Sequence, residues 1–193
     1  MIMGNKATKQ AKCNAVMLGL DCAGKTSILE TSNKTGMKLT TPTIGMYVEE
    51  VSVMDMKVYS WDVGGEDLIR GLFRHYFNKV NAIIWVQDCS DIYRLAYSKD
   101  ELNKILLSPE LKGHPLLLFA NKQDRPNAID KEELICSWNL HSLDGERAWQ
   151  VFHSVATEKD TLQEGFAWLQ QVVADPSTYV PHSLVQIKNA NNV

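Results

Sequence analysis

The chain has 193 residues, 45% hydrophobic and 22% charged, which suffices for one domain of ~150 residues with a sizeable core and some residues left for tails. That balance excludes wholesale disorder. A formal charge of −3 disfavours a protein held to nucleic acid by general electrostatics, so no nucleic-acid partner is expected.

The longest apolar runs, 82–86 and 115–120, fall well short of the ~20 residues that cross a bilayer. Residues 1–13 carry no apolar stretch of the secretory type. A cytoplasmic protein is therefore expected, or one attached from the cytosolic side of a membrane. The four cysteines, Cys13, Cys22, Cys89 and Cys136, show no metal-finger spacing and are expected to be reduced and mostly buried.

After a polar extension, 1–12, residues 13–20 read as an apolar strand, and a glycine-containing turn leads into a helix-compatible run, 25–31. Residues 47–53 and 57–62 alternate as two strands joined at Met54 and Asp55, an antiparallel hairpin. The runs 82–87 and 115–120 have the continuous apolar character of strands buried on both faces of a parallel sheet. Between them, 100–107 has helical spacing, with Leu102, Ile105 and Leu106 on one side. A last strand, 149–155, precedes an amphipathic helix, 162–173. The expected fold is α/β of the P-loop type: a doubly wound, mostly parallel six-stranded sheet with one antiparallel strand and helices on both faces. The domain spans 13–174, and the proline-containing segment 175–193 is expected to be a flexible tail.

Gly19-Leu20-Asp21-Cys22-Ala23-Gly24-Lys25-Thr26 fits G-x-x-x-x-G-K-[ST] and lies where that motif must lie, between a strand and a helix. Glycines let backbone N–H groups wrap a di- or triphosphate, and the helix N-terminus adds a partial positive charge. Lys25 would reach the β- and γ-phosphates, the Thr26 hydroxyl would ligate Mg²⁺, and Ser27 completes the phosphate-binding set. Alone, this loop leaves kinases, ATPases and GTPases open.

Asn121-Lys122-Gln123-Asp124 directly follows the strand 115–120, which places a carboxylate at the end of a sheet strand, where α/β sheets bind ligands. Guanine presents N1–H and an exocyclic amine side by side, and the Asp124 carboxylate can accept from both. Adenine has no such donor pair. Asn121 would support the loop, and the stem of Lys122 would cover the base.

At this point the chain resembles the Ras-like small GTPases, and within them the ADP-ribosylation-factor (Arf and Arf-like) family. The resemblance rests on the phosphate loop, Pro-Thr-Ile-Gly at 42–45, Trp-Asp-Val-Gly-Gly at 61–65, Arg-His-Tyr-Phe at 74–77, Ala-Asn-Lys-Gln-Asp at 120–124 and Leu-His-Ser-Leu at 140–143. It implies that Thr43 contacts Mg²⁺ and the γ-phosphate, that Asp62 holds Mg²⁺ and that the Gly65 N–H senses the γ-phosphate. It also implies a backbone contact from Ala156 to guanine. GTP, GDP and Mg²⁺ are then the expected ligands. The expected partners are an exchange factor, a GTPase-activating protein and effectors, contacting a monomer.

Three departures stand out. Glu66 occupies the position where the family has a water-orienting glutamine; an ionised carboxylate only accepts hydrogen bonds and brings charge towards an anionic phosphate. With Lys25 and Thr43, Glu66 forms the expected catalytic set, and slow intrinsic hydrolysis is expected. Met46 and Tyr47 replace the family's Phe-Asn, whereas Trp61 and Tyr76 match its effector-contacting aromatics. Residues 6–12 lack the apolar face of the family's membrane-inserting helix, yet Met3-Gly4-Asn5-Lys6-Ala7-Thr8 fits M-G-x-x-x-[ST], making Gly4 a candidate N-myristoylation site if translation starts at Met3.

Two other readings compete with a hydrolysing switch: a non-hydrolysing GTP-dependent scaffold, favoured by Glu66, and a P-loop kinase. The latter is disfavoured by Asn121-Lys122-Gln123-Asp124 and by the lack of an arginine-rich lid between 78 and 118. The lone histidines His75, His114 and His153 have no metal spacing and are assigned to packing or surface.

Overall fold

The computed structural model describes residues 12–33, 38–39, 49–63 and 76–182. Gly4, Thr43, Gly65 and Glu66, together with Met46, Tyr47 and His75, lie outside the described residues. The strands are β1 (Asn14–Leu18), β2 (Lys38–Leu39), β3 (Glu49–Val53), β4 (Met56–Ser60), β5 (Ala82–Asp88), β6 (Leu116–Asn121) and β7 (Trp149–His153). They form one sheet in the order β2-β3-β4-β1-β5-β6-β7.

The six strands expected from sequence are present: β4, β1, β5, β6 and β7 run parallel and β3 runs antiparallel to β4. The two-residue β2 adds a short antiparallel rung beyond β3. Met54 and Asp55 join β3 to β4 with φ of 46° and 68°, the left-handed pair of a tight two-residue hairpin turn.

The continuous apolar runs are explained by the two faces they serve. Ala15, Met17, Ile84, Val86, Leu117 and Phe119 point one way, packed by α1 (Lys25–Ser32) and α4 (Lys159–Ala174) through Ile28, Leu29, Leu162, Phe166 and Leu169. Their neighbours Val16, Leu18, Ile83, Trp85, Leu116 and Leu118 point the other way, under α2 (Leu95–Leu106) and α3 (Lys131–Trp138) through Leu102, Leu134 and Trp138. With helices on both faces, no face of the central strands has room for a polar side chain until the strand ends.

Helix α2 starts five residues before the expected 100, because its first turn continues the short 3₁₀ turn Ile92–Arg94. The sequence reading has no counterpart for α3. That helix buries only Leu134 and Trp138, too few for a hydrophobic period, and is set by its ends: Asp130 Oδ1 accepts from the Glu133 N–H at 2.7 Å and Asn139 closes it in the left-handed region. His153 Nε2 accepts from the Lys131 N–H at 3.0 Å, and His114 Nε2 lies 3.0 Å from the Val80 carbonyl oxygen. All four cysteines are free thiols; Cys13 and Cys89 are buried as expected, whereas Cys22 and Cys136 are exposed.

Of the tail expected from 175 onward, residues 175–182 are among those described. Asp175 Oδ1 accepts from the Ser177 N–H at 3.0 Å and fixes the 3₁₀ turn Pro176–Thr178. The His182 ring then stacks on Trp149, with centroids 4.1 Å apart.

Gly165 shows how tightly α4 is seated. A Cβ there would lie 2.7 Å from the Phe119 ring, itself fully buried and packed edge-on against Phe166 at 5.2 Å. Gly165→Ala should therefore lower stability by about 1–2 kcal/mol, the strain of overpacking outweighing the ~1 kcal/mol gain in helix propensity. The urea midpoint checks this: one equal to the native value would mean that the ring yields.

Candidate nucleotide-binding site

The parallel strands β1, β5, β6 and β7 all end at one edge of the sheet, where a cavity of about 400 Å³ opens. Its lining brings together Cys22, Gly24, Lys25, Thr26 and Ser27 from the turn after β1, Asp62 from beyond β4, Asn121, Lys122 and Asp124 from beyond β6, and Ala156 from beyond β7. Arg125, Val155 and Thr157 complete the wall. Gly19, Leu20 and Ala23 lie behind the lining; Leu20 and Ala23 are buried. Asp21 is exposed, and its carboxylate meets Arg94 Nη1 at 2.7 Å.

The helix-starting lysine is almost wholly buried. Lys25 Nζ donates to the carbonyl oxygens of Gly19 at 2.9 Å and Leu20 at 2.7 Å and pairs with the Asp62 carboxylate. Burial pushes the Lys25 ammonium below its usual range, and the Asp62 carboxylate pulls it back. The loop thus holds a cation under its own carbonyls at the wall of the cavity.

Gly24 closes the loop with φ of 102° immediately before α1, and a Cβ there would collide with the Asn121 amide. Only glycine meets both conditions at no strain. Asn121 is fully buried; its Nδ2 donates to the Ala23 carbonyl at 2.7 Å and its Oδ1 accepts from Ser154 Oγ at 3.3 Å. One amide side chain therefore links the β1, β6 and β7 loops.

Lys122 stands in the left-handed region, φ 65°, and donates to Asp88 Oδ2 at 2.6 Å. The other Asp88 oxygen accepts from the Ser90 N–H at 2.9 Å and Ser90 Oγ at 2.6 Å. Burial opposes ionisation of Asp88, but the hydrogen bonds from Lys122 and Ser90 prevail and hold its carboxyl below its ordinary value. Asp124 is exposed and lines the cavity.

Trp61 is buried beside Tyr76 and Phe77, with centroids 5.7 and 6.2 Å away. The sequence reading did not single out Asp88, Ser154, Arg94 or Arg125. The one visible signal was at Asp88, where the apolar run of β5 turns polar at Gln87 and Asp88 as it reaches the ligand-binding edge of the sheet.

A glycine loop at a helix start, fastened by a buried asparagine to the loop that carries Asp124, on a sheet of this order, defines a P-loop GTPase. The family model described as the ADP-ribosylation factor family matches residues 1–173. Among solved structures, the chain is similar to the Arl6 (BBS3) small GTPase from Trypanosoma brucei with a bound nucleotide analogue, GppNp, at 33% identity and a TM-score of 0.68, over 84% of this chain and 98% of that one. The chain belongs to the ADP-ribosylation factor family, whose members are GTP-binding switches.

Two outcomes follow from the loop geometry. Asn121→Ala leaves the buried Ala23 carbonyl without its donor and should speed release of a fluorescent GDP by about 10-fold or more, since ~1–3 kcal/mol attaches to such a loss. Asp88, with its carboxyl held below the ordinary 3.8, adds stability that is present above that value and is lost as pH falls through its lowered value in the fold. The stability gap between the native chain and Asp88→Asn, read by urea unfolding, should accordingly narrow as the pH is taken from 7 to below 3.8.

Proposed function

We propose that this protein is an Arf-like GTP/GDP switch whose intrinsic hydrolysis is slow, so that its GTP state is long-lived and recruits effectors in membrane traffic or signalling. The observation that carries the nucleotide reading is the Asn121 link between the base-selecting loop and the phosphate loop. The slow step is argued from Glu66. A carboxylate cannot donate to the γ-phosphate as an amide does, and one lost transition-state contact slows turnover ~10²–10³-fold.

The hydroxyl of Thr26 and the carboxylate of Asp62 line the same cavity, and hard oxygen donors of this kind fit Mg²⁺. When bound, that ion neutralises charge on the β- and γ-phosphate oxygens. Thr26 and Asp62 would hold it, with Thr43 as a third ligand by family resemblance. Lys25 binds the β- and γ-phosphates, and Ala156 and Asp124 orient the guanine. The Gly65 N–H, again by resemblance, reads the γ-phosphate, so that GTP orders two loops that GDP releases.

Effector contact is assigned, by family resemblance alone, to the region of Trp61 and Tyr76, with Met46 and Tyr47 altering partner choice relative to the family's Phe-Asn. An exchange factor and a GTPase-activating protein would set the cycle. For location we propose the cytosol and, peripherally, the cytosolic face of an endomembrane such as the Golgi. Myristate on Gly4 would bind marginally by itself, with Lys6, Lys9 and Lys12 each adding ~1 kcal/mol on anionic lipid.

The second reading, a non-hydrolysing GTP-dependent scaffold, also rests on Glu66. Single-turnover conversion of bound GTP to GDP in the Mg²⁺ complex separates the two, with Glu66→Gln measured in parallel. The switch reading expects slow but measurable native turnover that rises about 10²-fold or more in Glu66→Gln. Rapid native turnover would make Glu66 a working catalytic group. No turnover in either protein would leave the scaffold.

A further inference from the structure

An acidic residue inside a phosphate-binding loop is at odds with the ligand the loop must hold. Asp21 occupies such a position, between Leu20 and Cys22, and its negative charge is felt at Lys25 Nζ. Cys22 lines the cavity, whereas the Asp21 carboxylate is turned to Arg94.

The geometry of Arg94 is set from its own side. It ends the 3₁₀ turn Ile92–Arg94, which leaves the carboxyl end of β5, the strand beside β1. Asp91 starts that turn; its Oδ1 accepts from the Arg94 N–H at 3.2 Å and its Oδ2 from Arg94 Nε at 2.6 Å. With Nε fixed, the terminal nitrogens of the guanidinium are directed at the phosphate loop. Nη1 donates to Asp21 Oδ1 at 2.7 Å and Nη2 to the Asp21 carbonyl oxygen at 3.4 Å. The grip is on both the side chain and the backbone of one loop residue, from a residue 73 positions away in sequence.

Both partners are well exposed, 39% and 63%, so the pair adds little to folding. Its effect falls on the ligand. A carboxylate near a triphosphate repels it through an intermediate dielectric, and the repulsion grows with phosphate charge.

We infer that Arg94 is a positioning residue of the nucleotide site: it holds the phosphate loop's own carboxylate, Asp21, away from the cavity and offsets its charge, and thereby favours GTP over GDP. The inference rests on guanine-nucleotide binding at this cavity. Loss of Arg94 leaves two carboxylates, Asp21 and Asp91, with no cation between them and frees Asp21 to approach the phosphates. GTP carries about one more negative charge than GDP and suffers more.

The test is a charge cycle on the full chain, with thermal melting to confirm that each variant folds. Binding of a fluorescent GDP and of a fluorescent non-hydrolysable GTP analogue is measured for the native chain, Arg94→Gln, Arg94→Lys, Asp21→Asn and the Arg94→Gln, Asp21→Asn double variant, at ~0.05 M and ~0.5 M salt. Arg94→Gln should weaken the GTP analogue by about 3- to 10-fold and GDP by less. Arg94→Lys, which keeps the charge, should stay within about 2-fold of native. Asp21→Asn should bind no more weakly than native, the double variant should recover the loss, and the effect should shrink at high salt.

Equal losses for both nucleotides, a loss unchanged in the double variant, or Asp21→Asn as damaging as Arg94→Gln would each overturn the inference and make the pair a plain structural strut. A native chain that binds neither nucleotide would overturn the reading of the site itself.

Discussion

Asn121 Nδ2 donates to the Ala23 carbonyl across 98 residues of sequence, and the rest of the site depends on that bond. The phosphate loop grows from β1 and the base loop from β6, two strands that never touch because β5 lies between them. The sheet ladder through β5 sets the spacing of the two strands but does not by itself hold the loops beyond their ends together. A fully buried amide does so, because leaving it or its acceptor unpaired in the interior is far more costly than the bond is worth in water. Gly24 is the other half of the same constraint: any side chain there would displace the amide.

From that fastening the electrostatics follow in order. The loop buries a cation, Lys25, under the carbonyls of Gly19 and Leu20 with Asp62 beside it. A second cation, Lys122, is held on the far wall by Asp88. Thr26, Ser27 and the exposed Asp124 line the same cavity.

Much of this was readable in the sequence because each feature is local. The phosphate loop announces itself by glycine spacing at a strand-to-helix junction, and the base loop by its place after an apolar run. The buried strands betray themselves by uninterrupted apolar residues, since both faces are covered. What escaped reading depends on pairs distant in the chain. Asp88 with Lys122, Asn121 with Ser154, and Arg94 with Asp21 involve residue types that are ordinarily solvated, and no periodicity marks them. Helix α3 escaped for a different reason: two buried side chains make no pattern, although Asp130 at its cap and Asn139 at its end are recognisable stop and start chemistry. Composition weighs residues equally and so gives no sign of the His182 ring stacked on Trp149.

Five non-glycine residues among those described have positive φ, and their distribution is informative: Met54 and Asp55 make a hairpin turn, Asn139 ends a helix, and Cys22 and Lys122 line the cavity. The first three are where short connections ordinarily require such a conformation. The last two are not, and each carries of order 1–3 kcal/mol of local strain. Part of the backbone strain of the domain is therefore stored in the two loops that line the cavity. A search for thermostable variants that ignored function would reach those two positions early and would trade away the clasp for the stability it gained.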